Sequence, residues 1–332
     1  MERALWFVAP RRVEIRPEPL AELAAGDVQV RTEYSGISAG TEMLAYRGQL
    51  PPDLALDEAL GALGGTFEYP FRYGYSCVGR VEACGADVTA LAVGDLVFAF
   101  QPHQECFIAP ADTVMPVPIL DARIATLLPF VETALQVTLD AGSVLGETVV
   151  VCGAGVLGLL VAVLLERAGA AALVVEPQPW RRQLAGELGL PACSPTSVGE
   201  ELARRDCGDG VPIVIEASGN PDALTGALEL LAHEGTALVA SWYGCRDVSL
   251  PLGGRFHRRR LTIRSTQVST IPARLSGRWT PRRRLARAVA MAETLPLAAL
   301  ATDAVDFDDA PAAYQRVDEA PPGVMHVALG YR

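Results

Sequence analysis

The chain has 332 residues, half of them hydrophobic, and a formal net charge of −11 at pH 7. This length is sufficient for two domains with a large buried core, and the negative charge argues against a nucleic acid or an anionic membrane as a partner. No apolar stretch is long enough to cross a membrane and no secretory signal is visible, so we expect a cytoplasmic protein without a membrane partner.

The first part of the chain, up to about residue 120, is predicted to be rich in short strands. Small and β-branched residues form runs at 28–32, 74–85 and 93–98, and Gly and Pro turns separate them. These features are typical of a β domain with tight connections.

From about Asp121 onwards, predicted strands alternate with predicted helices. This alternation indicates an α/β fold with a parallel, doubly wound sheet. We place this second domain at residues 122–267. We expect residues 268–332 to return to the first domain (1–121), which is then discontinuous. The candidate strands of the sheet are 148–152, 173–176, 213–217, 236–240 and 261–264.

The β-branched first strand of this domain runs into a Gly-x-Gly-x-x-Gly pattern, and an apolar segment of helical length follows it. Gly153 permits the tight turn, Gly155 lets the backbone approach a pyrophosphate, and Gly158 lets the helix pack close to the strand. The N-terminus of that helix offers N–H groups to phosphates. Together with the acidic Glu176 at the end of the next strand, the pattern is the dinucleotide-binding fingerprint in its structural context.

Glu176 and the residues after it bear on which dinucleotide binds. A carboxylate at this position accepts hydrogen bonds from both ribose hydroxyls of NAD and repels the 2′-phosphate of NADP, so we expect NAD. Arg181 and Arg182 follow closely and are suited to a phosphate, which leaves NADP possible. Arginines at such positions are also typical of a solvated helix surface.

Four further segments stand in a fixed order around the fingerprint, at 36–48, 74–79, 88–97 and 215–220. Together they resemble the medium-chain dehydrogenase/reductase (alcohol dehydrogenase-like) superfamily along essentially the whole chain. The resemblance implies a Rossmann nucleotide-binding domain, a discontinuous β-rich GroES-like catalytic domain and a small-molecule substrate. It also implies cofactor contacts at Val156 and Leu157, where the fingerprint helix begins, and at Ser218 and Gly219, in the turn after the fourth strand.

The last predicted strand of the nucleotide-binding domain, 261–264, is expected at the edge of the sheet. An exposed edge favours pairing with a second copy of the chain. The resemblance implies the same arrangement, so we expect a homodimer.

The sequence departs from this family where the family binds zinc. Ser38 replaces a cysteine ligand, Tyr75 and Ser76 replace the His and Glu of a Gly-His-Glu segment, and Pro129 replaces a further ligand. The four-cysteine loop of the structural zinc is missing. Hydroxyls and a neutral phenol are poor zinc ligands. We therefore predict that no zinc is bound, as in the zinc-free branches of the superfamily, which include dehydrogenases of the bacteriochlorophyllide hydroxyethyl type.

Without zinc, another group must polarise a carbonyl or take an alcohol proton during hydride transfer. Tyr75 stands at a ligand position by the resemblance, and His103 lies in a loop after a strand. Ser38 and Thr41 are suited to a hydroxyl relay, and Glu132 lies on the helix that supplies a ligand in the family. Each candidate also has a purely structural interpretation. Tyr75 is then a half-buried core tyrosine, His103 a surface-loop histidine and Glu132 a solvated helix residue. Ser38 and Thr41 then form turn and cap hydrogen bonds.

Three functions agree with these observations. The first is a zinc-independent NAD(P)-dependent oxidoreductase that transfers hydride between nicotinamide and an alcohol/carbonyl substrate. The second is a zinc-free ene or quinone reductase, but such enzymes usually prefer NADPH, which Glu176 disfavours. The third is a nicotinamide-binding scaffold without catalytic activity. We expect the first.

Overall fold

Residues Met1–Arg332 are all described by the structure, which is a computed structural model. They form two units: the first comprises Met1–Pro129 and Val289–Arg332, and the second comprises Phe130–Ala288. The first unit is discontinuous in sequence, because the chain leaves it for the second unit and then returns.

The helices and strands are numbered in chain order. The first stretch contains β1 (Glu2–Ala9), β2 (Arg12–Glu18), β3 (Asp27–Ile37), α1 (Thr41–Arg47), β4 (Phe71–Arg72), β5 (Cys77–Cys84), β6 (Leu96–Ala99), β7 (Cys106–Pro110), β8 (Met115–Pro116) and α2 (Ala122–Ala125). The middle stretch contains α3 (Leu128–Ala141), β9 (Thr148–Cys152), α4 (Val156–Arg167), β10 (Ala171–Val175), α5 (Pro179–Glu187), β11 (Ala192–Cys193), α6 (Val198–Arg204), β12 (Val211–Glu216), α7 (Pro221–Leu230), β13 (Leu231–Val239), β14 (Thr262–Ser265) and α8 (Pro281–Ala292). The last stretch contains α9 (Leu297–Leu300), β15 (Asp303–Asp306), α10 (Ala310–Glu319) and β16 (Val327–Gly330). No helix combines the length and the apolar character that crossing a bilayer requires.

The first unit is built on two sheets, in agreement with the predicted β-rich domain. Its larger sheet has seven strands in the order β15-β16-β3-β5-β6-β8, with β7 also paired to β3. The smaller sheet has the order β2-β1-β4. Strand β3 is central, since it is antiparallel to β5, β7 and β16. The loop that leaves β3 is therefore held from several sides at its base.

The second unit is a parallel six-stranded sheet with the order β11-β10-β9-β12-β13-β14. Residues 149–151 of β9 are fully buried, as is typical of a strand in a sheet that is covered on both faces. The strand order changes direction at β9, because β10 and β12 lie on opposite sides of it; ligands of such sheets bind at this point. The predicted Rossmann-type α/β fold is confirmed. Strand β9 has the predicted bounds, and β14 lies at the edge as predicted.

Residues 268–288 lie in the second unit, whereas we predicted a return to the first unit from residue 268. Two arginines explain the difference. Arg274 donates hydrogen bonds to the carbonyl oxygens of Leu139 and Asp140 at the end of α3, and Arg284 pairs with Glu132 in the same helix. These contacts hold the segment against α3, and a sequence pattern gives no information about them.

His326, just before β16, is a buried titratable group of the first unit. Its Nε2 lies 2.9 Å from Oγ1 of Thr126, and that hydroxyl donates to the carbonyl oxygen of Arg123. The ring also lies close to Gly36, where an added Cβ would be 2.9 Å from Cε1 of His326. Burial, aided by the positive charge of Arg123, lowers the pKa of His326 to about 3. The imidazole is therefore neutral in the folded protein.

We expect the folded protein to lose stability as the pH falls below about 6.5, because the unfolded chain then binds a proton on His326 that the folded chain does not. The loss attributable to this group is about 2 kcal/mol between pH 6.5 and pH 5. Urea unfolding at both pH values measures it. His326→Gln should weaken the pH dependence, and the exposed-histidine control His257→Gln should leave it unchanged. Equal pH dependence in all three proteins would contradict this account.

Candidate active site

The glycines of the fingerprint form a tight turn between β9 and α4. Gly153 has φ +104°, and a Cβ there would lie 2.8 Å from the Cα of Ser218. A Cβ on Gly158 would lie 1.9 Å from the carbonyl oxygen of Gly153, so only glycine permits this packing. Gly155 caps α4 without a side-chain hydrogen bond, which leaves the first N–H groups of the helix available. These are the groups that bind phosphate at the start of a helix.

Glu176 holds this turn through its buried carboxylate. Oε2 accepts a hydrogen bond from the backbone N–H of Ala154 at 2.9 Å, and Oε1 accepts one from Gln178 at 2.9 Å. The side chain is almost fully buried. Each oxygen keeps a further lone pair, so the carboxylate can still accept from a ribose hydroxyl.

The two arginines after Glu176 differ in what they contact. Arg182 donates to the carbonyl oxygens of Glu176 and Pro177, so it supports the loop. Arg181 has a buried Nε without a hydrogen-bond partner, and its Nη1 lies 3.8 Å from the Cβ position of Gly155. Burial lowers the pKa of Arg181, and the charge of Glu176 opposes this. Arg181 thus has an uncommitted buried donor near the glycine turn.

The turn after β12 is held by a second buried carboxylate. Glu216 is fully buried and accepts hydrogen bonds from the backbone N–H of Ser218 at 2.7 Å and from the Ser218 hydroxyl at 2.5 Å. The Tyr243 hydroxyl donates to its other oxygen at 2.6 Å. The backbone N–H of Gly219 donates to Ser241 at 2.8 Å. Ser218 and Gly219 therefore lie on a rigid turn at the same edge of the sheet as the fingerprint.

In the first unit, Ser38, Thr41 and Tyr75 come together. Ser38 is buried beyond the end of β3, Thr41 begins α1, and Tyr75 is partly buried after Gly74. Burial raises the pKa of Tyr75 to about 12, and the negative charge of Glu42 adds to this. The side chains of Ser38 and Thr41 oppose the rise. The phenol is therefore neutral at physiological pH and can donate a hydrogen bond.

His103 is fully buried, so it is not the surface-loop residue that we considered as the alternative to a catalytic role. Its Nε2 lies 2.9 Å from Oε2 of Glu42, and its Nδ1 lies 2.6 Å from the Ser35 hydroxyl. Gly74 makes this possible, because a Cβ there would lie 2.4 Å from Cδ2 of His103.

Glu42 is the residue of this region that our reading of the sequence missed. It is fully buried, and it contacts both His103 and the backbone of Ser38. The only signal for it in the sequence is its place next to Thr41, in the segment from which we took Ser38 and Thr41 as candidates.

Glu132 is buried in an ion pair and is not the solvated helix residue that we considered as the alternative to a catalytic role. Its Oε1 lies 3.0 Å from Nε of Arg284, and both side chains are almost fully buried. Arg284 also donates to Gln136 and to the carbonyl oxygen of Val268. Burial raises the pKa of Glu132, and Arg284 opposes the rise. The pair fastens residues 268–284 to α3, which is a structural task.

The side chains at the zinc-ligand positions of the resemblance do not fit zinc. Ser76 uses its hydroxyl to donate to the carbonyl oxygen of Thr126 at 2.7 Å. Ser38 offers a hydroxyl, Tyr75 offers a neutral phenol, and Pro129 has no donor atom in its side chain. Zinc sites in proteins use thiolate, imidazole and carboxylate ligands. No group of three or more His, Cys, Asp or Glu residues in the structure is arranged to hold a metal ion.

Comparison with known proteins agrees with this architecture. The family model for the alcohol dehydrogenase GroES-like domain matches residues 24–118, and the model for zinc-binding dehydrogenase matches residues 156–280. The chain is 28% identical over 301 residues to the D-guloside 3-dehydrogenase of Escherichia coli strain K12, which covers 85% of each chain. It is 31% identical over 261 residues to the 2-desacetyl-2-hydroxyethyl bacteriochlorophyllide A dehydrogenase of Cereibacter sphaeroides, which covers 72% of this chain and 74% of that one.

The fold is also shared with the crystal structure of 2R,3R-butanediol dehydrogenase from Bacillus subtilis. The TM-score is 0.80 at 19% identity, and the match covers 99% of each chain. These findings define the class: an NAD(P)-dependent oxidoreductase with a GroES-like domain and a Rossmann domain. The chain belongs to the medium-chain dehydrogenase/reductase superfamily.

The ion pair between Glu132 and Arg284 leads to a test of its structural role. Glu132→Leu leaves the guanidinium of Arg284 buried without its carboxylate, so we expect a loss of about 3–5 kcal/mol in the free energy of unfolding. Replacing both residues, with Arg284→Met added, should restore most of that loss. Urea unfolding measures both. As a control, Glu200→Gln removes an exposed pair with Arg204 and should change stability by less than about 0.5 kcal/mol. A Glu132→Gln protein with wild-type stability and a greatly reduced kcat would speak for a catalytic role instead.

Proposed function

We propose that this protein is a zinc-independent, NAD-preferring dehydrogenase or reductase that acts on an alcohol/carbonyl pair, with Tyr75 as the proton donor. The observation that carries the proposal is the phenol of Tyr75. It stands where the family places a zinc ligand, its raised pKa keeps it neutral, and the side chains of Ser38 and Thr41 act on it.

The chemistry assigned to Tyr75 is proton transfer to or from the substrate oxygen. When bound, the nicotinamide supplies or accepts the hydride. In the direction of reduction, the phenol of Tyr75 donates its proton to the carbonyl oxygen while the carbonyl carbon receives the hydride. The Ser38 and Thr41 hydroxyls then donate hydrogen bonds to the phenolate that remains. In the direction of oxidation, the phenol first loses its proton to solvent, and the phenolate then takes the proton of the alcohol.

The cofactor is assigned to the second unit. The free N–H groups at the start of α4 are suited to the pyrophosphate, and Glu176 is suited to the ribose hydroxyls of NAD. Arg181, with its buried and unpartnered Nε, is suited to the adenosine side of the dinucleotide. A carboxylate beside the ribose disfavours a 2′-phosphate, and this supports NAD over NADP.

The substrate is proposed to be a small molecule that carries an oxidisable hydroxyl. The names of two relatives describe dehydrogenation of a D-guloside and of a hydroxyethyl-bearing bacteriochlorophyllide. Glycosides, polyols and hydroxyethyl-substituted macrocycles are therefore the first compounds to assay. Pairing of two copies through the edge strand β14 is proposed as the form in which the protein is active.

Tyr75→Phe tests the proton donor. Because a general acid typically contributes 10²–10⁴ in rate, we expect kcat to fall by about 100-fold or more, with the Kd of NADH unchanged within about twofold. Kcat is followed by NADH absorbance with any substrate found in the panel. The control is Tyr69→Phe, which removes a phenol that donates to the carbonyl oxygen of Ala45, and wild-type kcat is expected there.

Wild-type activity should persist after treatment with a chelator. Stoichiometric zinc in the active protein would overturn this mechanism, and reduction of enones with NADPH in place of ketones would favour an ene reductase.

Arg181→Gln tests the cofactor site without a substrate. Since a charge-assisted hydrogen bond contributes about 1.5–3 kcal/mol, the Kd of NADH should rise by about tenfold or more. NADH fluorescence measures the Kd, and NADPH is titrated in parallel. Arg204→Gln, on an exposed helix of the same unit, is the matched control and should bind NADH as the wild type does. Unchanged binding by Arg181→Gln, or tighter binding of NADPH by the wild type, would refute the assignment.

A further inference from the structure

The fully buried carboxylate of Glu42 lies near the proposed proton donor, Tyr75. It accepts a hydrogen bond from the loop that carries Ser38 and Thr41. Oε1 of Glu42 accepts a hydrogen bond from the backbone N–H of Ser38 at 2.9 Å. Oε2 accepts the hydroxyl of Tyr314 at 2.5 Å and lies 2.9 Å from Nε2 of His103. Glu42, His103 and Tyr314 have no exposed surface.

The hydrogen bonds continue from His103 to the C-terminal end of the chain. The Ser35 hydroxyl lies 2.6 Å from Nδ1 of His103 and 2.8 Å from the Tyr331 hydroxyl. One set of hydrogen positions satisfies every member. Tyr331 donates to Ser35, Ser35 donates to Nδ1 of His103, and the N–H at Nε2 of His103 donates to Glu42. Glu42 thus anchors a network that joins β3, α10 and Tyr331, which directly follows β16.

Burying the carboxylate of Glu42 is energetically unfavourable if the residue serves only to fill space. A buried carboxylate loses its hydration, and an apolar side chain of similar volume is often as stable or more so. No arginine forms a salt bridge with Glu42; its hydrogen-bond partners are the backbone N–H of Ser38, the phenol of Tyr314 and the imidazole of His103. Of these partners, Ser38 belongs to the loop whose side chains act on the phenol of Tyr75. The carboxylate of Glu42 therefore connects a rigid interior network to the backbone of Ser38, in the loop that acts on the phenol of Tyr75.

We propose that Glu42 is a positioning residue: through its bond to the backbone N–H of Ser38, it holds the 38–41 loop so that the Ser38 and Thr41 hydroxyls meet the phenol of Tyr75. His103 and Tyr314 keep the carboxylate in place, which is why His103 is important although it is remote from solvent. This inference rests on the proposed role of Tyr75. A small displacement of a partner group is enough to reduce a rate substantially.

The test compares Glu42→Leu, which removes the bond to Ser38, with Glu42→Gln, whose carbonyl oxygen can still accept it. We expect Glu42→Leu to lower kcat by about tenfold or more, with the Kd of NADH unchanged within about twofold. Glu42→Gln should retain kcat within about threefold. Equal losses in both variants would overturn the proposal, because the bond to Ser38 would then not be the cause.

A double-mutant cycle separates positioning from general stabilisation of the fold. In a Tyr75→Phe background, Glu42→Leu should lower kcat by less than about twofold, because the phenol that it positions is gone. If the two losses multiply, Glu42 acts independently of Tyr75 and the proposal is wrong. Asp318→Asn is the matched control, since Asp318 binds Arg47 at the other end of α1, and it should leave kcat unchanged.

Hydrogen exchange at the backbone N–H of Ser38 gives a readout that needs no substrate. In the full-length protein, exchange in a peptide covering residues 36–44 should be faster by at least about tenfold in Glu42→Leu and unchanged in Glu42→Gln. If Glu42→Leu does not fold, Tyr314→Phe removes one donor to Glu42 and should produce a smaller increase in exchange. Unchanged exchange refutes the positioning role. If Glu42→Leu speeds exchange at Ser38 but Tyr75→Phe leaves kcat unchanged, the proposed function is refuted, whereas the role of Glu42 in holding the 38–41 loop is supported.

Discussion

Buried carboxylates that accept hydrogen bonds from loop backbone N–H groups hold each functional segment of this protein. Glu176 binds the N–H of Ala154 inside the fingerprint turn, and Glu216 binds the N–H of Ser218 in the turn after β12. Glu42 does the same for Ser38 in the other unit. An ionised group in an apolar interior must be satisfied by donors, and loop N–H groups that face the interior need acceptors. The buried carboxylates and the loop N–H groups therefore satisfy each other, and this holds the loops rigidly.

The need to satisfy a buried charge also distinguishes Glu42 from Glu132, the two glutamates near the segments that supply zinc ligands in the family. Glu132 is neutralised by the guanidinium of Arg284, so its charge is balanced within the fold. Glu42 has only neutral donors and His103 around it, so its negative charge acts on its surroundings and raises the pKa of the neighbouring Tyr75. The charge of Glu132 is thus balanced by a cation within the fold, whereas the charge of Glu42 is not and acts on the neighbouring phenol.

Much of the fold could be predicted because it depends on local patterns. The bounds of β9, the glycine turn and the edge position of β14 follow from β-branched runs, from the conformations that glycine allows, and from the order of elements along the chain. The site was predicted less completely. Glu42 and the burial of His103 depend on Tyr314 and Tyr331, which lie more than 200 residues further along the chain. No local pattern reports such contacts.

The sequence by itself determined the cofactor-binding turn and the absence of the usual zinc ligands, since both depend on which residues are present at adjacent positions. Only the tertiary structure decided which acidic and basic groups face one another. In the folded chain, Glu132 pairs with Arg284 and His103 is buried against Glu42. Arg182 donates to the loop after Glu176, whereas the Nε of Arg181 has no partner. The reason is physical: the properties of a charged side chain depend on its burial and its partners, and folding alone sets both.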